Sequence, residues 1–424
     1  MDSTDQADED GALEINESLV IHLEFSWSGR NGKHGFITMP WGHDPELQKF
    51  LLWVVDPETE QEDMPAKLTA RLAKMGLLVE PRAQPAREVP FDFDLPLVAT
   101  MTPAWDDPNF NRSAPMDSLM ANPACILQTA GQVPAEVATV AARATFIQPT
   151  DTVLWCRDPG TEVVVPFRMN GVREELARYL AAKPAVSNFG AELTAVVERL
   201  AASVTNTDPT VSTESILEVL RRAHLVVERT YPTKRKALWD AQLEGARSQL
   251  GVQQYVVLRR LVNPVSLGMV RAHYRKAVRL GFFRRDHMQS PLRLTKHNEP
   301  VVRFFQEQFA ALISRITPER LKGSYTMSAF YEPWAVLKRH TDRPQCAWNL
   351  SFPIDYEPER TTDESWPIFM DVDGVTHEVK LGIGDGLLYR GTDLPHWRNA
   401  QPDGHTSSVC FFHFVPEEFE GNLD

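Results

Sequence analysis

LKRHTDRPQCAWNLSFPID, residues 337–355, sets His340, Thr341 and Asp342 at the mouth of an apolar run that reads as a strand. Successive side chains on a strand point to opposite faces, so His340 and Asp342 share a face and can converge on one point. One imidazole and one carboxylate leave most of a metal's coordination sphere open, and a third protein ligand is expected downstream. His396, in GDGLLYRGTDLPHWR, fits that place, because the strands of a small barrel can fill the separation. Two histidines and a carboxylate are the donor set of the facial triad at non-haem Fe(II) centres, which leaves three positions open on the opposite side. Zinc more often takes tetrahedral N/S ligation, and no cysteine pattern offers it. His377 after the DVDG turn, His405 in a polar loop and His413 in the last apolar run compete for the third position, and none is preferred.

Around these residues stand YEPWAVLKRHTDR, the turn and strand GDGLLYRG, LPHWR and the terminal SVCFFHFV. With them, the stretch Tyr325–Val415 resembles the 2-oxoglutarate/Fe(II)-dependent oxygenases, particularly their prolyl-hydroxylase-like branch. The resemblance implies a double-stranded β-helix, or jelly-roll barrel, with His340, Asp342 and His396 as metal ligands and catalytic centre. It implies Fe(II) as cofactor, 2-oxoglutarate and O2 as cosubstrates, and hydroxylation of an unactivated C–H bond with release of succinate. Retention of Asp342 favours hydroxylation over halogenation. One departure stands out: where much of this superfamily carries an Arg or Lys for the distal carboxylate of 2-oxoglutarate, this chain has Thr406, with Ser408 beyond it. A carboxylate in a closed pocket still needs a cationic or multiply donating partner. Arg398, Arg390, Tyr331 and His405 are the candidate cosubstrate contacts.

The 424 residues exceed the roughly 250–300 at which one hydrophobic core stops growing, so two or three domains are expected. With 43% apolar and 24% charged residues there is material for a core. No apolar run reaches the roughly 18 residues of a membrane span, and the N-terminus is acidic where a signal peptide is basic. A cytoplasmic protein is expected, with neither membrane nor nucleic acid as partner. The net charge of −13 owes much to residues 1–17, which hold seven acids and no base and read as a disordered tail. Residues 259–296 reverse the sign, with ten Lys/Arg and Asp286 alone against them, and read as a solvated helix face. Cys125, Cys156, Cys346 and Cys410 show no paired spacing and are expected to be buried reduced thiols.

The chain reads as α+β. After the tail (1–18), residues 19–80 give two strands and two helices, and a Pro-rich connection (81–150), either linker or packed segment, follows. Residues 151–233 give strand, turn, strand and three helices, the first with Asn170 as a plausible cap. LTARLAKMGLLVE and ILEVLRRAHLVVE look like two copies of one helix-into-strand idea. The order over 151–229 resembles the PqqD-like winged-helix modules that bind leader peptides, which implies peptide recognition by the N-terminal half. Residues 234–424, three helices and then short strands, form the oxygenase-like domain as jelly roll with helical support. GIGDGLLYRG lacks the βαβ setting of a dinucleotide loop, and DVDG lacks the closing glutamate of a calcium loop, so both read as turns. Three functions are expected to compete: an oxygenase of a peptide or protein side chain, an oxygenase of a free amino acid or small natural product, and a non-catalytic barrel that binds.

Overall fold

A computed structural model describes residues 113–286 and 292–424 throughout, with 22–28, 34–40, 45–47, 50–51, 66–75, 91, 93–98, 111 and 289–290. Contacts divide the chain into residues 1–84 and 85–424. In the first unit, β1 (His22–Ser28) and β2 (His34–Pro40) pair antiparallel from His22↔Pro40 to Ser28↔His34. The helix α1 (Ala66–Met75) buries Leu68 and Leu72, four residues apart and so on one face. The acidic tail and the strand expected at LLVE lie outside the described residues.

In the second unit, the described part of the Pro-rich connection is a packed segment. Phe91, Phe93, Leu95 and Leu97 are buried at every second position, and Phe91 meets the rings of Phe146 and His273 at 5.3 and 4.1 Å. Then come β3 (Leu119–Ala121), β4 (Cys125–Gln128), β5 (Val153–Arg157) and β6 (Val164–Arg168), of which β4, β5 and β6 form one antiparallel sheet. Cys125 and Cys156 are cross-strand partners there and are joined in a disulfide, against the expectation of free thiols. Their pairing depends on strand register, which cysteine spacing does not reveal. Cys346 and Cys410 are free and buried.

The helices α2 (Arg173–Ala181), α3 (Phe189–Val204) and α4 (Thr213–Arg222) follow, and β7 (Val226–Glu228) returns to pair with β3. Ser212 and Ser215 close a capping box at the start of α4. Asn170 does not cap α2: its amide donates to Asp94 Oδ1 (3.0 Å), and the helix begins only after the turn at Gly171.

Next come α5 (Tyr231–Gln253), β8 (Tyr255–Leu258), α6 (Gly268–Arg279), β9 (Arg284–Asp286), β10 (Arg293–His297) and α7 (Pro300–Ile313). The helix α7 starts with Pro300 at a first-turn position, where the missing N–H costs nothing, and Glu299 accepts from the N–H groups of Val301 and Val302. The remaining strands are β11 (Leu321–Tyr331), β12 (Leu337–His340), β13 (Trp348–Glu357), β14 (Ile368–Val372), β15 (Val375–Val379), β16 (Gly386–Tyr389), β17 (His396–Arg398) and β18 (Thr406–Pro416).

They form two antiparallel sheets, a seven-stranded one in the order β8-β16-β13-β18-β11-β10-β9 and a four-stranded one in the order β12-β17-β14-β15. The architecture is thus a mixed α/β fold with two antiparallel sheets. Among the described residues no hydrogen-bonded ladder closes the two into one barrel, as the expectation of a barrel would have it. The large sheet buries one face against α7, where Phe309 meets Phe412 at 5.0 Å and Phe352 at 5.8 Å. One contiguous core runs from Phe91 to Phe414. Gln308 of α7 extends the edge of β6, accepting from Val164 N (2.7 Å) and donating to Val164 O (3.2 Å).

Candidate metal centre

His340 ends β12 and His396 begins β17, and the two are register partners in the small sheet. Asp342 lies two residues past the end of β12, where its N–H donates to Gly391 O (2.8 Å) and turns the carboxylate back toward the strands. One ligand atom from each of the three residues lies within 4.8 Å of the other two, so the group could hold a metal ion. His340 Nε2 is 3.6 Å from Asp342 Oδ1, and His396 Nε2 is 3.8 Å from Asp342 Oδ2.

The imidazoles are oriented for ligation. His340 Nδ1 lies 2.7 Å from Lys338 O and His396 Nδ1 3.0 Å from Leu394 O. A carbonyl oxygen can only accept, so each Nδ1 carries the proton and each Nε2 can present its lone pair toward Asp342. Burial opposes charge on His340, but the hydrogen bonds to Asp342 and the Lys338 carbonyl outweigh it and raise the pKa. Burial likewise opposes ionisation of Asp342, yet His340, His396 and Asn349 hold its pKa below the ordinary carboxylate value. Burial lowers the pKa of His396. A cation bound there would compete with protons for the same donor atoms.

Arg398 follows His396 at the same-face spacing of two, and both are buried while Trp397 between them is partly exposed. The Arg398 guanidinium is only 1% exposed, donates to Trp366 O (2.6 Å), lies over the Trp366 ring and leaves Nε without a partner. The titratable side chains that act on it are the phenols of Tyr356, Tyr331 and Tyr389, and among the described residues no carboxylate pairs with it. Desolvation lowers its pKa. Tyr331 is fully buried on β11 and accepts from Arg293 Nη1 (3.2 Å).

The other candidates lie elsewhere. Arg390 forms an ion pair with Asp393 (2.7 Å) at the surface. His405 sits in the turn before β18, and Gln401 Nε2 donates to its carbonyl (2.7 Å). Of the competing histidines, His377 on β15 meets the hydroxyl of Tyr255 (3.0 Å) and is not in the group that could hold a metal. His413 is buried, has no partner on either ring nitrogen, and is held down to about pKa 4 by burial.

Asn349 and Tyr389 carry no signal as single letters in their apolar runs, and their place is set by cross-strand register. Asn349 on β13 opposes Tyr389 on β16 and His413 on β18. Its Nδ2 donates to Asp342 Oδ2 (2.9 Å) and to Tyr389 Oη (2.8 Å), and that hydroxyl lies 3.3 Å from His396 Nε2. The one sequence clue is a polar side chain at the inward-facing position of a buried strand.

No protein-family model and no curated protein matches this chain. Among solved structures it is similar to a Pseudomonas putida prolyl-4-hydroxylase, with 14% identity, TM-score 0.34 and coverage of 41% of this chain and 98% of that one. It is similar to the non-haem α-ketoglutarate-dependent epimerase SnoN of nogalamycin biosynthesis, at 13%, 0.37, 42% and 83%. A Trichoplax adhaerens prolyl hydroxylase in complex with a hypoxia-inducible-factor peptide gives 12%, 0.34, 42% and 92%. SnoN is also solved with Fe3+ and α-ketoglutarate, and HygX of Streptomyces hygroscopicus with nickel and 2-oxoglutarate. Likeness at this level leaves the assignment to the residues themselves.

Proposed function

We propose that this chain is an Fe(II)- and 2-oxoglutarate-dependent oxygenase that hydroxylates an unactivated C–H bond. The observation that carries the reading is the convergence of His340, Asp342 and His396 within 4.8 Å. Two imidazoles and one carboxylate suit a six-coordinate ferrous ion with open positions. Bound there, Fe(II) supplies the redox chemistry that couples decarboxylation of 2-oxoglutarate to oxidation of the substrate.

The chain's own residues do the rest. Arg398 receives the distal carboxylate of the cosubstrate: a buried guanidinium without a counter-ion costs several kcal/mol, and an anion that returns when the pocket fills removes that cost. Tyr331 and Tyr389 stand beside it with buried hydroxyls. Met370, the register partner of His396, is buried, as are Val409 and Phe411 in the cluster that holds Tyr331 and Trp366, so the surroundings are apolar.

The substrate in this reading is a peptide or protein side chain, recognised by the winged-helix-like segment 151–233 together with the helix after it. A groove of about 580 Å3 supports this, lined by Val226 and Val227 of β7 and Tyr231 and Leu238 of α5, with Arg221, Lys234 and Glu228 among its charged residues. Its size suits a few side chains, and its apolar lining with charged groups of both signs suits a segment carrying apolar and polar residues.

Aerobic incubation with Fe(II) and 2-oxoglutarate tests the function. Wild type should release succinate, and His396→Ala should fall to the background of free iron. Equal release from the two proteins, or none from wild type, would remove the oxygenase reading.

A further inference from the structure

We infer that Asn349 is a positioning residue that withholds one oxygen of Asp342 from the metal and leaves the other for ligation, with Gly391 shaping the crevice in which the withheld oxygen sits. The inference rests on the oxygenase reading only in requiring a metal at the three ligands.

An aspartate can bind a metal through one oxygen or two, and the choice decides how many positions stay open. Here the two oxygens are not equivalent. Each faces one imidazole, Oδ1 at 3.6 Å from His340 Nε2 and Oδ2 at 3.8 Å from His396 Nε2, but Oδ2 alone also accepts from Asn349 Nδ2, at 2.9 Å. Asn349 is 2% exposed in the middle of the large sheet, and both bonds its side chain makes come from Nδ2, to Asp342 and to Tyr389 Oη. Its own Oδ1 is buried without a partner. A buried amide with an unpaired carbonyl costs about 1–3 kcal/mol, a cost that an apolar side chain of similar size avoids. The donation to Asp342 is what an apolar residue cannot supply.

The backbone closes the same crevice from the other side. Asp342 N donates to Gly391 O (2.8 Å) and Gly391 N to Ala347 O (3.1 Å), which ties the turn carrying Asp342 to the segment after β16. A Cβ at residue 391 would stand 2.5 Å from Asp342 Oδ2 and 2.5 Å from Cys346 O, closer than real Cβ atoms come to anything. The second of these is backbone and cannot swing away, so any side chain at 391 pushes the carboxylate.

Titration of the metal-free full-length protein with Co(II), followed by visible absorption, separates this from a merely structural role. Wild type should bind one equivalent. Asn349→Leu and Gly391→Ala should each weaken Co(II) binding by about 10–100-fold and alter the absorption envelope, with circular dichroism unchanged. A folded Asn349→Leu protein with wild-type affinity and spectrum would overturn the inference while leaving the oxygenase reading intact. Should Asn349→Leu fail to fold, Gly391→Ala decides by the same two readouts. A wild type that binds no Co(II) would overturn both.

Discussion

Arg398 brings a guanidinium into the interior with three tyrosines and no carboxylate around it, and its worth lies in what it binds rather than in what it stabilises. Arg398→Met should leave the metal-free protein at least as stable in urea unfolding, because the desolvation cost disappears with the charge. It should weaken 2-oxoglutarate binding by about 30–100-fold, or 2–3 kcal/mol, the scale of a charged hydrogen-bonded contact, as read by calorimetry on the metal-loaded protein. Burial acts in the same sense on His413, whose pKa falls to about 4. A group that binds its proton more weakly folded than unfolded draws the equilibrium toward the unfolded chain as pH falls below about 6.5. Between pH 7 and pH 5 this one imidazole should remove about 2 kcal/mol from the stability of the metal-free protein. His413→Leu should reduce that loss by a similar amount. At this scale the grouping of His340, Asp342 and His396 was legible from letter types and spacing, but not for the reason of strand alternation: β12 ends at His340, and Asp342 is held beyond it by the bond from its N–H to Gly391 O. Asn349 and Tyr389 were not legible, because only the register of β13 with β16 puts them against Asp342 and His396.

Among the elements, α7 shows how a helix start and a sheet are held together. Glu299 accepts from Val301 N (3.0 Å) and Val302 N (3.3 Å), and Tyr274 Oη donates to the same carboxylate (2.5 Å). Glu299→Ala should cost roughly 1–3 kcal/mol in chemical denaturation, since it frees two helix N–H groups and leaves the buried Tyr274 O–H without its acceptor. Glu299→Gln should cost less, because an acceptor oxygen remains. The helices of residues 231–313 and the strands beyond Tyr325 follow from apolar periodicity and from Gly, Pro and Asp at the turns. YTMSAFYEPWAVLKRH reads as one run but is broken by a turn at Glu332–Val336, where Trp334 takes a left-handed φ of 68°. Pro333 is the mark of that break in the sequence, whereas Trp334, unlike a glycine, gives no warning of a positive φ. The Cys125–Cys156 bond was hidden for a related reason, since its partners meet only through the pairing of β4 with β5.

At the scale of the molecule, residues 85–424 share one apolar core, and the link is specific: Phe146 meets Phe304 at 5.5 Å, Gln308 pairs with the edge of β6, and Asn263 Nδ2 donates to Arg222 O (2.9 Å). A chain beginning at Pro85 should therefore keep its cooperative melting transition. One beginning at Lys234 should aggregate, because Phe304 and Phe305 lose the surface that covers them, and size-exclusion chromatography with thermal unfolding would tell the two apart. That continuity ties the peptide-recognition proposal to the site, since the groove beside β7 and the three ligands belong to one folded unit. The central claim, that His340, Asp342 and His396 make one metal centre, is tested most directly by anaerobic Fe(II) titration of the full chain and its three single alanine variants. One equivalent bound by wild type, with affinity lost in all three variants alike, is the predicted result. Iron binding that survives removal of any one of them, or that is absent from wild type, would contradict it.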